Sequence, residues 1–278
     1  MTRDDGARSA RVLIFDSGLG GLTVLDAVAR ERPDAELIYA ADDAFFPYGA
    51  LAEAALIERV DAVMDDLIAR YAPDLAVIAC NTASTLVLPP LRAAFPDLPF
   101  VGTVPAIKPA AQASRSRLVS VLATPGTVAR DYTHALVREF AGDCEVALVG
   151  SARLAGLAER ALRGETVADE DVAREIAPAF VERAGRRTDQ VVLACTHFPL
   201  LIDRLRRLAP WPVDFVDPAP AIARRVDALL GARGAPRDAD ALADAVFTSG
   251  RAPSPALQKA LRRHGLAVTS TQMYAAAR

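Results

Sequence analysis

The stretch Asp74-Leu75-Ala76-Val77-Ile78-Ala79-Cys80-Asn81-Thr82 decides the fold because it occurs twice. Asp189-Gln190-Val191-Val192-Leu193-Ala194-Cys195-Thr196-His197 repeats its pattern 115 positions further on. Each copy is a short apolar run closed by a thiol and then by hydrogen-bonding side chains, the pattern of a buried parallel strand entering a polar turn. At this offset Asp74 to Ile107 aligns with Asp189 to Ile222 without a gap, and 12 of the 34 pairs are identical. The identities extend past the strand to Phe100-Val101 with Phe215-Val216, and to Pro105-Ala106-Ile107 with Pro220-Ala221-Ile222. The chain reads as two related halves, each supplying one cysteine.

Outward from the repeat, short apolar runs alternate with segments of helical period, which is the pattern of an α/β fold with mostly parallel sheets. Strands are expected at Arg11 to Phe15, Glu36 to Ala40, Leu75 to Ala79 and Pro99 to Val101 in the first half. In the second half they are expected at Leu118 to Leu122, Glu145 to Val149, Gln190 to Ala194 and Val213 to Val216, making four strands per half. One helix is expected from the Gly-rich turn to about Arg30 and another over about Ala52 to Tyr71. The segment Gly231 to Asp240 reads as a surface connection. Beyond it the pattern predicts a helix, a short Phe247-Thr248-Ser249-Gly250 element and a second helix, with a loosely ordered tail after about Thr269.

Ligands of open parallel sheets bind beyond the carboxyl ends of the strands. Asp16-Ser17, Thr124, Cys80-Asn81-Thr82 and Cys195-Thr196-His197 all sit at such ends. If the two halves face each other, these groups surround one cleft.

The whole chain sets the outer limits. Its 278 residues allow about two domains of ordinary size. An apolar fraction of 52% and a charged fraction of 24% describe an ordinary globular protein. The net charge of −3 and scattered arginines argue against a nucleic-acid partner. The polar start, Met1 to Ala10, has no secretory apolar segment, and no run approaches the roughly 20 residues of a membrane span, so a cytoplasmic protein is expected. Three cysteines do not make a disulfide framework and are read as thiols. Lysine occurs only as Lys108 and Lys259, neither beside a phosphate-binding loop, which argues against pyridoxal chemistry and its lysine Schiff base. The reading calls for no cofactor and no metal. It leaves a homodimer open.

Chemistry concentrates at the strand ends. The turn Asp16-Ser17-Gly18-Leu19-Gly20-Gly21 lacks the dinucleotide spacing, since Thr23 stands where the third glycine belongs. Its backbone N-H groups suit a carboxylate, or the turn is purely structural; both readings stay open. Cys144, just before a strand, reads as a small buried apolar residue. Cys80 and Cys195 differ from it because polar residues follow each directly, and a symmetric pair of acid/base groups is what inverting a stereocentre requires. An unperturbed thiol has a pKa of about 8.5, so lowering it to about 7 takes roughly 2 kcal/mol of thiolate stabilisation. The N-terminus of the following helix and adjacent donors are expected to provide it. His197, two residues after Cys195, is placed to relay a proton or hold an anion. Asp16 is either its counterpart near Cys80 or a helix cap. Phe46-Pro47-Tyr48-Gly49, after Asp42-Asp43, is a rigid turn or a ligand contact. His134 and His264 fall on expected exposed helices and receive no role.

Together these motifs resemble the glutamate racemase family. The matching stretches are IFDSGLGGLTVL (14 to 25), ADDAFFPYG (41 to 49), ACNTAS (79 to 84), LATPGTV (122 to 128), ACTHFPLL (194 to 201) and VDPAPAIA (216 to 223). The resemblance implies two pseudo-symmetric α/β domains, residues 1–103 with 217–278 and residues 104–216, with the active site in the cleft between them. The helices after Pro105 and Pro220 would cross into the opposite domain. It implies cofactor-independent interconversion of L- and D-glutamate for peptidoglycan synthesis, with Cys80 and Cys195 as the two bases. Asp16, His197 and Glu159 would assist them. Where the family usually carries Cys-Pro ahead of that glutamate, this chain has Ser151-Ala152. Substrate contacts would come from Asp16, Ser17, Tyr48, Gly49, Asn81, Thr82, Thr124, Thr196 and His197. An aspartate racemase or a decarboxylase of the same superfamily would share part of this pattern. A cysteine hydrolase needs only one thiol, a zinc site would draw on Cys80, Cys195, His197 and Asp16, and a non-catalytic binder of acidic amino acids needs no thiol pair.

Overall fold

The computed structural model describes residues 8–238 and 242–271. The first-half strands are β1 (Arg11–Asp16), β2 (Glu36–Ala41), β3 (Leu75–Ile78) and β4 (Phe100–Gly102). The second half contributes β5 (Leu118–Ala123), β6 (Glu145–Gly150), a short antiparallel hairpin of β7 (Glu182–Arg183) and β8 (Arg186–Arg187), then β9 (Gln190–Ala194) and β10 (Asp214–Val216). β11 (Ala243–Phe247) and β12 (Leu266–Thr271) close the described chain. The larger sheet has the order β12-β11-β2-β1-β3-β4 and the smaller β10-β9-β5-β6, and both are parallel throughout.

This corrects the expectation of four strands per half in two places, the β7–β8 hairpin of the second half and the outer strands β11 and β12 of the larger sheet. Ala243–Phe247, expected as helix leading into the Phe247 element, is a strand lying against β2, with β12 outside it. The Ala-rich segment favours a helix on its own, but pairing with β2 buries Ala245, Val246 and Phe247, and tertiary burial overrides local preference. The tail expected to be loose after Thr269 runs as strand to Thr271, and the remainder lies outside the described residues. The connection at 231–238 has no regular structure and is held at Arg32, which donates to the carbonyls of Gly231 and Ala232. His264 is half-buried at the end of the helix Pro255–Arg263, its Nδ1 2.9 Å from Asp26, and not on an exposed face. Cys144 is half-buried.

The repeat is visible in the strand order. In the larger sheet the chain leaves β1 for β2 on one side, then crosses to β3 on the other; in the smaller it leaves β5 for β6, then crosses to β9. Each sheet therefore has its switch of direction beside its first strand, where a ligand crevice forms. Cys80 follows β3 and Cys195 follows β9, so both thiols stand at equivalent switch points. Asp74 and Asp189 begin the equivalent strands and do the same work: one accepts the Arg11 N-H at 2.8 Å, the other the Arg115 and Ser116 N-H groups at 2.7 and 2.9 Å.

Helices cover both faces of each sheet, so the strand interiors are apolar on both sides. Val12 and Ile14 face a core shared with Leu22, Leu25 and Val28, while Leu13 and Phe15 face Val60, Val63, Met64 and Leu67 on the opposite side. The covering helices are exchanged between the halves. Ile107–Ala113 follows β4 of the larger sheet, yet Ile107, Ala110 and Ala111 pack on Val119, Val121 and Val192 of the smaller one. Ala219–Leu230 follows β10 of the smaller sheet, yet Ala219, Ile222, Ala223 and Val226 pack with Val12, Leu25 and Val77.

Ile107 and Ile222 are repeat partners that each plug into the other half's core, 0% and 5% exposed. Ile107→Ala and Ile222→Ala should each lower stability by about 2–5 kcal/mol in urea unfolding. A loss below about 1 kcal/mol at either position would show that its helix is not integral to the core it covers.

Candidate active site

The glycine-rich turn is built to receive the second half. The Asp16 carboxylate, fully buried, accepts the N-H groups of Gly18 at 3.3 Å and Gly21 at 3.1 Å and the Thr196 hydroxyl at 3.2 Å. The Leu19 N-H donates to Glu159 Oε1 at 2.6 Å, and the Gly20 N-H meets His197 Nε2 at 3.2 Å. The N-H groups of Gly18, Leu19 and Gly21 are thus taken by protein carboxylates, and of the two open readings the structure favours the structural one. The glycines are required by contact across the cleft. A Cβ on Gly20 would lie 2.4 Å from His197 Nδ1 and 2.5 Å from Thr196 Oγ1, and one on Gly18 would lie 2.3 Å from Glu159 Oε1.

Glu159 reaches this point from the helix Leu154–Leu162. Ser151, standing where the family usually has cysteine, anchors that helix: its hydroxyl accepts the Leu154 N-H at 3.1 Å and donates to Glu175 at 2.7 Å. Glu159 Oε1 also contacts His197 Nε2 at 2.9 Å, and Oε2 pairs with Arg163 at 3.2 Å. The other ring nitrogen of His197, Nδ1, lies 4.0 Å from Cys195 Sγ. Phe46 covers the imidazole with ring centroids 5.1 Å apart.

The buried charges set one another. Burial opposes protonation of His197, but the hydrogen bonds to Cys195 and Glu159 and the nearby negative charges hold its pKa well above the ordinary value. Burial would raise the Glu159 pKa, yet the His197 hydrogen bond and charge bring it below the usual range. Asp16 is raised by burial, partly offset by His197 and the Gly21 and Gly18 N-H groups. Cys80 departs from the expectation of an acidified thiol. Burial and then the Asp16 carboxylate push it up to about 12, outweighing the Ala83 N-H at the helix N-terminus and the Ser17 hydroxyl, which both favour the thiolate. Cys80 also feels the charge of Cys195. The resting protein therefore carries Cys80 as a thiol and, beside Cys195, a protonated imidazole.

The remaining predicted residues come together around these thiols. Cys80 and Cys195 are 6% and 7% exposed, and Ser17, Asn81, Thr82 and Thr196 are buried with them. Both side-chain polar atoms of Asn81 are buried without a hydrogen-bond partner among the described residues. Thr82 and Thr124, one from each half, are linked at 3.2 Å, and Thr127 joins both at 3.3 and 3.0 Å. Thr127 was not foreseen, although it stands three residues after Thr124 in the first turn of the same short helix. Gly49 packs against Thr124, whose Cβ lies 3.5 Å from the position of an added Cβ. The Tyr48 hydroxyl, by contrast, is engaged by Asp42 at 2.6 Å. The ion pair of Asp42 with buried Arg59, at 2.6 Å, was not foreseen. No group of three or more His, Cys, Asp or Glu side chains among the described residues is arranged to hold a metal. Lys108 lies over the Phe140 ring, 5.3 Å from its centroid.

Folding raises the Cys80 pKa, so the protonated thiol favours the native state; that contribution is complete below about pH 9 and is lost as the pH rises towards about 12. Iodoacetamide labelling of Cys80, followed by peptide mass spectrometry, should stay slow through neutral pH and accelerate only in strongly alkaline buffer. A labelling midpoint near neutrality would contradict the assignment. Gly20→Ala should separate the turn from His197 and leave a folded protein with altered imidazole signals by NMR; an unchanged spectrum would count against the close approach.

The family described as Asp/Glu/Hydantoin racemase matches residues 16–226. The "Glutamate racemase" of Brucella canis is 54% identical over 255 residues, covering 92% of each chain. Escherichia coli glutamate racemase, solved in complex with L-glutamate and the activator UDP-MurNAc-ala, superposes with a TM-score of 0.85 at 43% identity, over 94% of this chain and 97% of that one. The Thermus thermophilus glutamate racemase, solved with β-chloro-D-alanine, gives a TM-score of 0.67 at 29% identity, over 95% and 96% of the two chains.

Proposed function

The chain belongs to the Asp/Glu/hydantoin racemase family, and from that premise we propose that it interconverts L- and D-glutamate by two-base proton transfer without a cofactor, supplying D-glutamate for peptidoglycan. The carrying observation is the pair of buried cysteines at equivalent switch points of the two sheets, each followed by buried hydrogen-bonding side chains. The glutamate specificity rests on the relatives at 54% and 43% identity. The working units are residues 1–103 with 217–278, built on the larger sheet, and 104–216, built on the smaller, and no helix among the described residues is long and apolar enough to cross a membrane. A cytoplasmic site of action fits that reading.

The two thiols act on opposite faces of the glutamate Cα. On one face the base is Cys195, with His197 Nδ1 4.0 Å from its sulfur; Glu159, held ionised by Arg163, in turn keeps the proton on the imidazole. On the other face Cys80 rests as a thiol and delivers its proton to the carbanion. For the opposite enantiomer the roles reverse. Asp16 and Ser17 then assist, the serine by its hydrogen bond to the thiolate and the aspartate as an acceptor for the departing proton. After each turnover the proton count at the two sulfurs is exchanged and must be reset.

Asn81 offers an unpartnered amide to the substrate's α-carboxylate, with Thr196 beside it. The Thr82, Thr124 and Thr127 hydroxyls and the backbone at Tyr48-Gly49 suit the side-chain carboxylate, since a linked hydroxyl cluster can turn its donors towards an anion. Positioned acid/base groups contribute about 10² to 10⁴ in rate, which does not by itself overcome the weak acidity of an amino-acid Cα-H. The rest comes from electrostatic stabilisation of the carbanion in a cleft whose donors are fixed before the substrate arrives.

Circular dichroism of purified protein with either enantiomer should show racemisation without added cofactor. Cys80→Ser and Cys195→Ser should each lower the rate by at least about 10². No racemisation by folded wild type would overturn the function, and wild-type rates in either variant would remove that cysteine from the mechanism.

A further inference from the structure

The Phe247-Thr248-Ser249-Gly250 element and the acidic pair Asp42-Asp43 have no place in the proton-transfer chemistry, yet they hold each other. The Thr248 hydroxyl donates to Asp42 Oδ1 and accepts the Ala44 N-H at 3.4 Å. Ser249 binds Asp43 twice, through its N-H at 2.9 Å and its hydroxyl at 2.6 Å. The Thr248 N-H meets the Ala41 carbonyl at 3.2 Å. Asp42 is the centre of this arrangement. Besides Thr248 it accepts the Tyr48 hydroxyl at 2.6 Å and Arg59 Nε and Nη2 at 2.9 and 2.6 Å, while its own N-H donates to the Asp16 carbonyl at 2.9 Å. Arg59 also lies over the Phe45 ring, 4.2 Å from its centroid.

What these contacts fix is the loop from Asp43 to Ala50. That loop carries Phe46 onto His197 and Gly49 onto Thr124, so it is one of the parts of the first half that lean on the second-half side of the cleft. The C-terminal strand pair adds nothing to the thiols or to the imidazole. Its end nevertheless decides where the loop sits.

We propose that Thr248 and Ser249 are positioning residues, a clasp from the C-terminal strands that fixes the Asp43–Ala50 loop in its substrate-binding position through Asp42 and Asp43. The proposal rests on the racemase reading of the cleft. It places the clasp in substrate affinity and not in the proton transfers, because neither residue contacts a thiol, His197 or Glu159. The two enantiomers are of equal energy, so kcat/KM is the same in both directions, and a loosened loop raises KM for both.

The test compares Thr248→Val, Thr248→Ser and Ser249→Ala in the full chain, measuring kcat and KM in each direction. Thr248→Val keeps the shape and removes the hydroxyl; its KM should rise about tenfold for both enantiomers, with kcat changed by less than about threefold, the scale of one lost hydrogen bond to a charged group. Thr248→Ser restores the hydroxyl and should restore KM, which a loss of general stability would not explain. Ser249→Ala, half-buried and tolerant, should raise KM in the same sense and serves where Thr248→Val fails to fold. Unchanged KM in folded Thr248→Val or Ser249→Ala, or a Thr248→Ser protein as impaired as Thr248→Val, overturns the clasp. Wild type without racemisation sinks the functional reading and the clasp with it, whereas active wild type with unchanged KM in the variants sinks the clasp alone.

Discussion

One carboxylate oxygen, Oε1 of Glu159, joins the two halves at the cleft. It lies 2.6 Å from the Leu19 N-H of the first half and 2.9 Å from His197 Nε2 of the second, and both side chains are nearly inaccessible. Breaking a buried, paired charge by removing one partner costs about 3–5 kcal/mol, because the other charge is left uncompensated. The glycine turn and the imidazolium beside Cys195 both depend on this contact. Gly18 and Gly20 are glycine because the oxygen and its imidazole partner occupy the space that side chains would need.

The same contact makes two nearly symmetric halves chemically unequal. The repeat places Cys80 and Cys195 at equivalent strand ends, but Cys195 has His197 beside it, whereas burial and the Asp16 carboxylate raise the pKa of Cys80. The second half thus carries a protonated imidazole paired with Glu159, and the first a protonated thiol. In the proposed reaction a stereocentre lies between the two sulfurs, one of which takes a proton while the other gives one. Symmetry supplies the geometry, and the departures from it set the resting protonation.

Much of this was legible in the sequence, for identifiable reasons. Parallel strands buried on both faces are continuous apolar runs, so β1 to β6, β9 and β10 fall within a residue or two of where the pattern predicted them. The 115-residue offset gave the paired thiols and their polar neighbours directly. What failed is equally physical. Ala243–Phe247 is a strand only because β2 offers it an edge, a fact absent from its own residues. Arg59 looks like any arginine on a helix surface, and only the approach of Asp42, 17 positions earlier, buries it. Glu159 came from resemblance alone, since nothing local marks a glutamate whose partners lie 140 and 38 positions away. The lowered thiol pKa was expected from the helix N-terminus, and the depth of burial together with Asp16 reversed it at Cys80.

The central claim is that two different groups, one on each face, move the two protons. It is tested most directly by starting with protiated glutamate of one hand in D₂O and following deuterium at Cα by NMR at low conversion. Two bases predict that the newly formed enantiomer carries deuterium while the remaining starting enantiomer keeps its proton, for either starting hand. Product of inverted configuration that retains the original proton would mean that a single group carries it across, and would contradict the account.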